Sequence, residues 1–232
     1  RIMRRPDDHE ARRDAYVAAI PGWYRWWFHL LTPPVVGGVL FLLAVRRMQA
    51  WDFAWWPAVL LTANFIEWYY HKNVMHHRAR GFGFAVIAHV GEHHALFTPG
   101  HMAIRSAKEL HAVLLAPASQ LVAYAIAVVP AALLWLVRPG MAYAWVSAAA
   151  LYLVAFELIH ALYHLPARYL PRGGPFRWLR ETHELHHDPA AMQRHNFNVT
   201  VPLWDLILGT YRRSDDPGAL GRAWPRGAAP SA

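Results

Sequence analysis

Cysteine is absent from the 232 residues. That absence excludes a disulfide framework, an iron–sulfur cluster and a zinc site built on thiolates. Charge is scarce too: Asp, Glu, Lys and Arg make up 16% of the chain, against the usual quarter, while hydrophobic residues reach 56%. Lysine is nearly missing, since 21 of the 23 basic residues are arginine. With the abundant alanine, this bias points to a GC-rich bacterial genome. No secretory signal opens the chain, which starts at Arg1, and residues before it are expected. The length suits one domain with a sizeable core. The formal net charge is +8, but the basic residues flank apolar runs and form no single stripe. They fit a membrane surface, and no nucleic-acid partner is expected.

What the chain has is long apolar runs. A membrane-crossing helix needs about 20 mostly apolar residues. Four stretches qualify: about Trp26 to Val45, Phe53 to Tyr70, Ala112 to Val137 and Met141 to Leu162. The short "RRMQAWD" joins the first pair and "RPG" the second. The expected fold is all-α: an integral membrane protein with about four transmembrane helices in two hairpins and a cytoplasmic histidine-rich cap. A soluble bundle is disfavoured, because two of the runs carry no charge except one Glu near an end.

Lys and Arg set the orientation. With four spans, the N-terminal, central and C-terminal segments share one side and hold 20 basic residues, while the other side holds only Arg46, Arg47 and Arg138. That side is expected to be the cytoplasm, most simply beneath a bacterial inner membrane. Trp23, Trp26, Trp27, Trp68 and Tyr70 would mark the inner interface. Trp51, Trp55, Trp56, Trp135 and Trp145 would mark the outer one. Residues 1–25 read as a cytoplasmic or interfacial segment, with a short helix over 7–20 lying on the bilayer. Residues 26–211 read as the membrane domain, and 212–232 as a flexible tail without a site.

Four histidine clusters fall on the expected cytoplasmic side: His71 and His76; His89, His93 and His94; His160 and His164; and His183, His186 and His187. On an α-helix, positions i and i+4 share a face, so His89 pairs with His93, His160 with His164, and His183 with His187, with His186 beside them. The five-residue step from His71 to His76 suits a helix end. Neutral imidazole is a good ligand for iron, zinc, copper or nickel. Ten exceed the roughly four to six ligands one ion takes, so the count argues for two ions. His9, His29, His77, His101, His111 and His195 lack such grouping and read as ordinary side chains. Glu67 and Glu157 each precede a cluster by about one helical turn, and Glu92 lies inside one. A carboxylate at such a position is expected to accept an N–H from a ligand histidine and fix its tautomer.

Two rival readings use the same residues. "HELHH" at 183–187 matches the zinc-protease pattern, with Glu184 as general base. It needs one metal and about three ligands, which leaves most of the histidines without a role. A membrane metal transporter would need polar residues along the spans, yet the third span offers only Ser119 and Gln120.

The order of the clusters, with a long apolar hairpin between His94 and His160, resembles the fatty acid hydroxylase superfamily, also called the sterol desaturase family. "HNFNVTVPLWDLILGTY" is similar to that family's closing segment, and the resemblance spans about residues 60–211. The second cluster has three residues between its first two histidines, where many members have two. The resemblance implies a non-haem di-iron oxygenase, with the ten clustered histidines as ligands and zinc able to take iron's place. It implies O2 and external electrons, and a lipid substrate: a fatty acyl chain, sterol, sphingolipid or carotenoid. Nothing in the chain resembles a fused cytochrome b5 domain, so the electrons are expected from a separate cytochrome b5, ferredoxin or similar carrier.

Overall fold

The computed structural model describes residues 7–213 apart from Arg78 and Arg172. Arg1, Arg4, Arg5, Arg78, Arg172, Arg222, Arg226 and the tail from 214 onward therefore lie outside the described residues. Among the described residues ten α-helices occur in the order α1 (Asp7–Ala19), α2 (Trp26–Val45), α3 (Trp56–Tyr70), α4 (Gly83–Val86), α5 (His94–Leu96), α6 (Leu110–Val113), α7 (Pro117–Val137), α8 (Pro139–Tyr163), α9 (Gly174–His186) and α10 (Leu203–Ile207). Two π-helical segments, His71–Met75 and Ile87–His93, continue α3 and α4. No strand occurs among the described residues.

Three of the long helices, α3, α7 and α8, open on a proline in the first turn. Its missing N–H has no intrahelical partner to lose there. Two helices, Trp26–Val45 and Pro139–Tyr163, are long and apolar enough to cross a membrane. The other two expected spans have different bounds. Residues 50–55 form a 3₁₀ turn, which leaves α3 only 15 residues. Residues 110–113 form the separate α6, and Leu114 is extended, so α7 begins at Pro117 and not at Ala112. Proline punctuates both apolar stretches.

Helix α8 is central and packs against α2, α7 and α3. Its buried face is built from Ala142, Ala144, Ser147, Ala148, Ala149 and Ala150, small residues that let backbones approach. Gly37 of α2 completes this contact: a Cβ there would run into Val154 and sit 3.2 Å from the Ala150 carbonyl. Large apolar side chains point outward from α2 and α7, among them Val35, Leu43, Leu133 and Leu136, as a lipid-facing surface requires.

Below the bundle a compact cap forms around Leu96, Phe97, Met102, Leu110 and Val113. Helix α1 is part of this cap. Its Arg13 is buried and donates to Glu109 at 2.5 and 3.0 Å and to the Ala103 carbonyl at 2.9 Å. Arg105 pairs with Glu10, Asp14 and Glu109. One of the basic residues counted above, Arg13, is thus an internal strut.

The aromatic belts are also partly internal. Trp68 is buried and donates to Thr210 Oγ1 at 2.9 Å, Trp56 donates to Ser147, and Trp145 donates to the Ala127 carbonyl at 2.7 Å. Trp23, Trp26, Trp27, Trp51, Trp55 and Trp135 remain exposed.

The C-terminal segment folds back along α3. Trp204 donates to the Leu61 carbonyl at 3.0 Å, and Asn64 donates to Tyr152, Thr200 and the Val201 carbonyl.

Candidate metal centre

All ten clustered histidines are buried, and they separate into two groups of five. His71, His76, His89, His94 and His186 form one, and His93, His160, His164, His183 and His187 form the other. Within each group the ligand atoms lie within 4.8 Å of one another. The groups abut, with the rings of His94 and His187 stacked at 4.3 Å.

Local winding decides the membership. In a π-helix the repeat lengthens to i→i+5. The His76 N–H bonds the His71 carbonyl, and the His94 N–H bonds the His89 carbonyl. His71 therefore aligns with His76, and His89 aligns with His94. The α-helical expectation that His89 pairs with His93 fails for this reason, and His93 turns to the second group. In α8 and α9 the α-repeat holds, so His160 stays with His164 and His183 with His187. His186, three residues after His183, belongs to the first group.

The imidazoles are oriented by backbone carbonyls. Nδ1 of His71 donates to the Phe197 carbonyl, His93 to Ala112 at 2.9 Å, His164 to Met102 at 2.8 Å, His186 to His195 at 2.8 Å and His187 to Phe97 at 2.7 Å. A carbonyl can only accept, so each of these rings carries its proton on Nδ1 and a lone pair on Nε2. The lone pairs converge. His93 Nε2 faces His187 Nε2 at 3.1 Å although both lack a proton there. His89 Nε2 lies 2.7 to 3.1 Å from the Nε2 atoms of His71, His76 and His94, more neighbours than one proton or lone pair can serve. A cation resolves both conflicts: nitrogens about 2.1 Å from a metal, at right angles, are about 3.0 Å apart. Burial, the largest cause, lowers the pKa of His71 to about 4 and that of His76 to about 2. It also drives those of His89, His94, His183, His186 and His187 well down. The rings are therefore neutral and ready to bind metal. The donor set fits two metal ions.

The three glutamates hold structure and do not touch imidazoles. Glu67 accepts from Tyr152 and from the Val199 N–H, from the Thr200 N–H at 3.1 Å and from the Thr200 hydroxyl at 2.7 Å. Glu157 accepts from the Leu115 N–H at 3.2 Å and from Gln120. Glu92 accepts from the Tyr16 hydroxyl at 3.1 Å. The expectation of carboxylate partners is corrected: backbone carbonyls, four from segments between helices and that of Ala112 from α6, reach five of the rings. Glu184 of the HELHH motif accepts from the Gly100 N–H at 3.3 Å and lies in neither metal group.

Sequence reasoning missed the loop at 196–200 that presents the Phe197 carbonyl to His71. Asp205, fully buried, accepts from the Phe197 N–H at 3.0 Å, the Asn198 N–H at 2.7 Å and the Thr210 hydroxyl at 2.6 Å. Asn196 sits at φ +60°, a conformation asparagine tolerates, and its side chain bonds the backbone of Thr182 and Arg212. The signals were the resemblance of HNFNVTVPLWDLILGTY to a family's closing segment and the density of Asn, Thr and Asp in an otherwise apolar stretch, and neither shows which carbonyl meets His71.

Of the ungrouped histidines, His77 is exposed, and His29 and His111 are half-buried with Tyr24 and Tyr16 as partners. His195 contributes its carbonyl alone to the centre. His9, Glu10 and His101 form a small surface group, with Glu10 and His101 exposed.

An apolar cleft reaches the first group, with His71 and Met75 at one end and Val59, Ala127 and Trp145 at the other.

A family model described as fatty acid hydroxylase matches residues 56–210, a stretch that contains all ten histidines. No curated protein and no solved structure matches the chain.

Proposed function

The chain belongs to the fatty acid hydroxylase family, and on that premise we propose that it is a membrane-bound di-iron oxygenase that hydroxylates or desaturates a lipid chain. The observation that carries this reading is the apolar cleft ending on His71, a member of one of two abutting five-histidine groups. Two iron ions held by the ten histidines would supply O2 activation and take up external electrons. The protein's part is positional. Carbonyls of Phe97, Met102, Ala112, His195 and Phe197 hold five rings in one tautomer, so five ligand nitrogens keep their places through a reaction cycle. The cleft walls exclude water and place an alkyl carbon near the first group. Hydroxylation leaves one oxygen atom of O2 in the product and the other in water, and so draws electrons and protons from outside. A separate carrier such as a cytochrome b5 or ferredoxin meets that need.

The reading includes topology: four spans in residues 26–211, with both termini and the histidine cap in the cytoplasm of a bacterial cell. The supporting observation is the distribution of basic residues, 20 on the side of the termini against 3 on the other. Reporter fusions after Tyr211 and within residues 46–51 should give opposite signals, and a C-terminal fusion reporting from outside would overturn the arrangement.

The decisive experiment pairs metal analysis of the purified protein with lipid profiles of a deletion strain. About two metal ions per chain, and loss of one hydroxylated or unsaturated lipid restored by the intact gene but not by His164→Ala, are expected. An unchanged lipid profile would overturn the function.

A further inference from the structure

The cleft is polar at one end only. His71, Glu67, Tyr70, Ser119 and Tyr152 lie together there. Glu67 and Tyr152 are engaged with each other and with Thr200, and the Tyr70 hydroxyl meets Ser119. From that end the cleft runs along α8 between α3 and α7, which both pack on α8. Small residues Ala63, Ala123 and Ala149 keep its middle open. The distance from His71 to Val59 along α3 is about 18 Å at 1.5 Å per residue. That is close to one leaflet of a hydrocarbon core about 30 Å thick.

An aromatic ring lines the far end. Trp145 of α8 reaches across to α7 and donates its indole N–H to the Ala127 carbonyl at 2.7 Å. Pro130 lies inside α7. It has no N–H to offer the Ile126 carbonyl, so the helix is loosened one turn from where the indole docks. The ring's single donor is satisfied, and its apolar body faces the cleft.

We propose that the cleft takes one unbranched acyl chain, methyl end first, and that Trp145 is its depth stop, so that chain length decides which carbon is held at His71. This rests on the lipid oxygenase reading for its chemistry but not for its test. A chain that reaches the indole can go no deeper, and its remaining carbons must extend towards Tyr70 and Ser119. Shortening the stop lengthens the chain accepted, and blocking the middle shortens it.

The test is binding. The holoprotein is placed in nanodiscs of a diphytanyl ether phospholipid, which supplies no straight acyl chain. It is then exposed to an equimolar series of saturated fatty acids from lauric to arachidic acid, and the retained acids are quantified by mass spectrometry. The wild type should retain a narrow range of lengths. Trp145→Ala should move that range towards longer acids by the length of about one helical turn, roughly 5 Å, with a several-fold gain for the longest. Ala123→Phe should move it towards shorter acids, and Trp135→Ala, on the exposed face of α7, should leave it alone. If Trp145→Ala does not insert into membranes, Trp145→Leu is used and should give a smaller shift in the same direction. A wild-type profile in a folded Trp145 variant overturns the depth stop, and a wild type without length preference overturns the single-chain cleft. Failure of the oxygenase reading would show separately, as normal binding without an oxidised lipid in cells.

Discussion

The two five-histidine groups do the same geometric task with different helices. The first takes His71 with His76 and His89 with His94 from π-helical turns. The second takes His160 with His164 and His183 with His187 from α8 and α9 at ordinary α spacing. Each group then borrows one member from the other's territory: His186 joins the first and His93 the second. A ligand pair therefore has no fixed sequence spacing. The spacing that shares a face is set by how the backbone is wound, and one inserted residue changes the partner.

Acid should erase the comparison, because it empties both groups. The folded pKa of His71 is lowered from 6.5 to about 4. Between those values the unfolded, metal-free histidines take up protons and the folded ones do not, so the stabilisation is full above about 6.5 and is lost as the pH falls towards 4. Each such histidine contributes roughly 1.4 kcal/mol per pH unit in that window. Metal retained after gel filtration should fall across this range as the cap unfolds, and flat retention down to pH 4 would contradict this acid-linked loss of stability.

Single substitutions should split the groups. His186→Ala should lower the metal content of the first group, and His183→Ala that of the second, each with activity reduced more than about 100-fold. Spectra of the remaining metal should differ between the two variants. Identical residual spectra would mean that the two groups are not separate sites.

Deleting Asn73 converts the His71–His76 step to four residues and removes the reason for the π turn. The expected result is weakened metal at the first group, with the second spared. Equal loss at both would show that the π turn serves the whole cap.

Asp205→Ala should destabilise the cap by about 3 kcal/mol, because it strands two buried N–H donors. Thermal unfolding should register it, with partial rescue by Asp205→Asn, which keeps one acceptor. The smallest effect is expected of Glu92→Gln: metal and activity within roughly twofold of the parent, since Glu92 meets Tyr16 and no imidazole. A large metal loss there would revive its role beside a ligand ring.

The sequence carried the ten histidines and the apolar helices with little ambiguity. Clustered imidazole has few structural uses, and apolar length is a direct measure of burial in lipid or protein. It did not carry the partition into groups, because α and π winding differ by one hydrogen-bond register that no residue type announces. It misassigned Glu67, Glu92 and Glu157, since spacing along one helix says nothing about which extended segment arrives opposite. Phe197 serves through its carbonyl, and a main-chain acceptor is invisible in a sequence. The shortened α3 and α7 were readable in part, from Pro57 and Pro117.

The exchange of His93 and His186 has a consequence for biosynthesis. The ribosome releases His71, His76, His89, His93 and His94 early, then His160 and His164 at the end of α8. A nascent chain that stops before α9 holds four members of one group and three of the other. Helix α9 and its cap residue His187 complete both at once, so this late helix acts as a latch. Until it closes, a half-made protein has no finished centre at which oxygen could be turned against the chain itself.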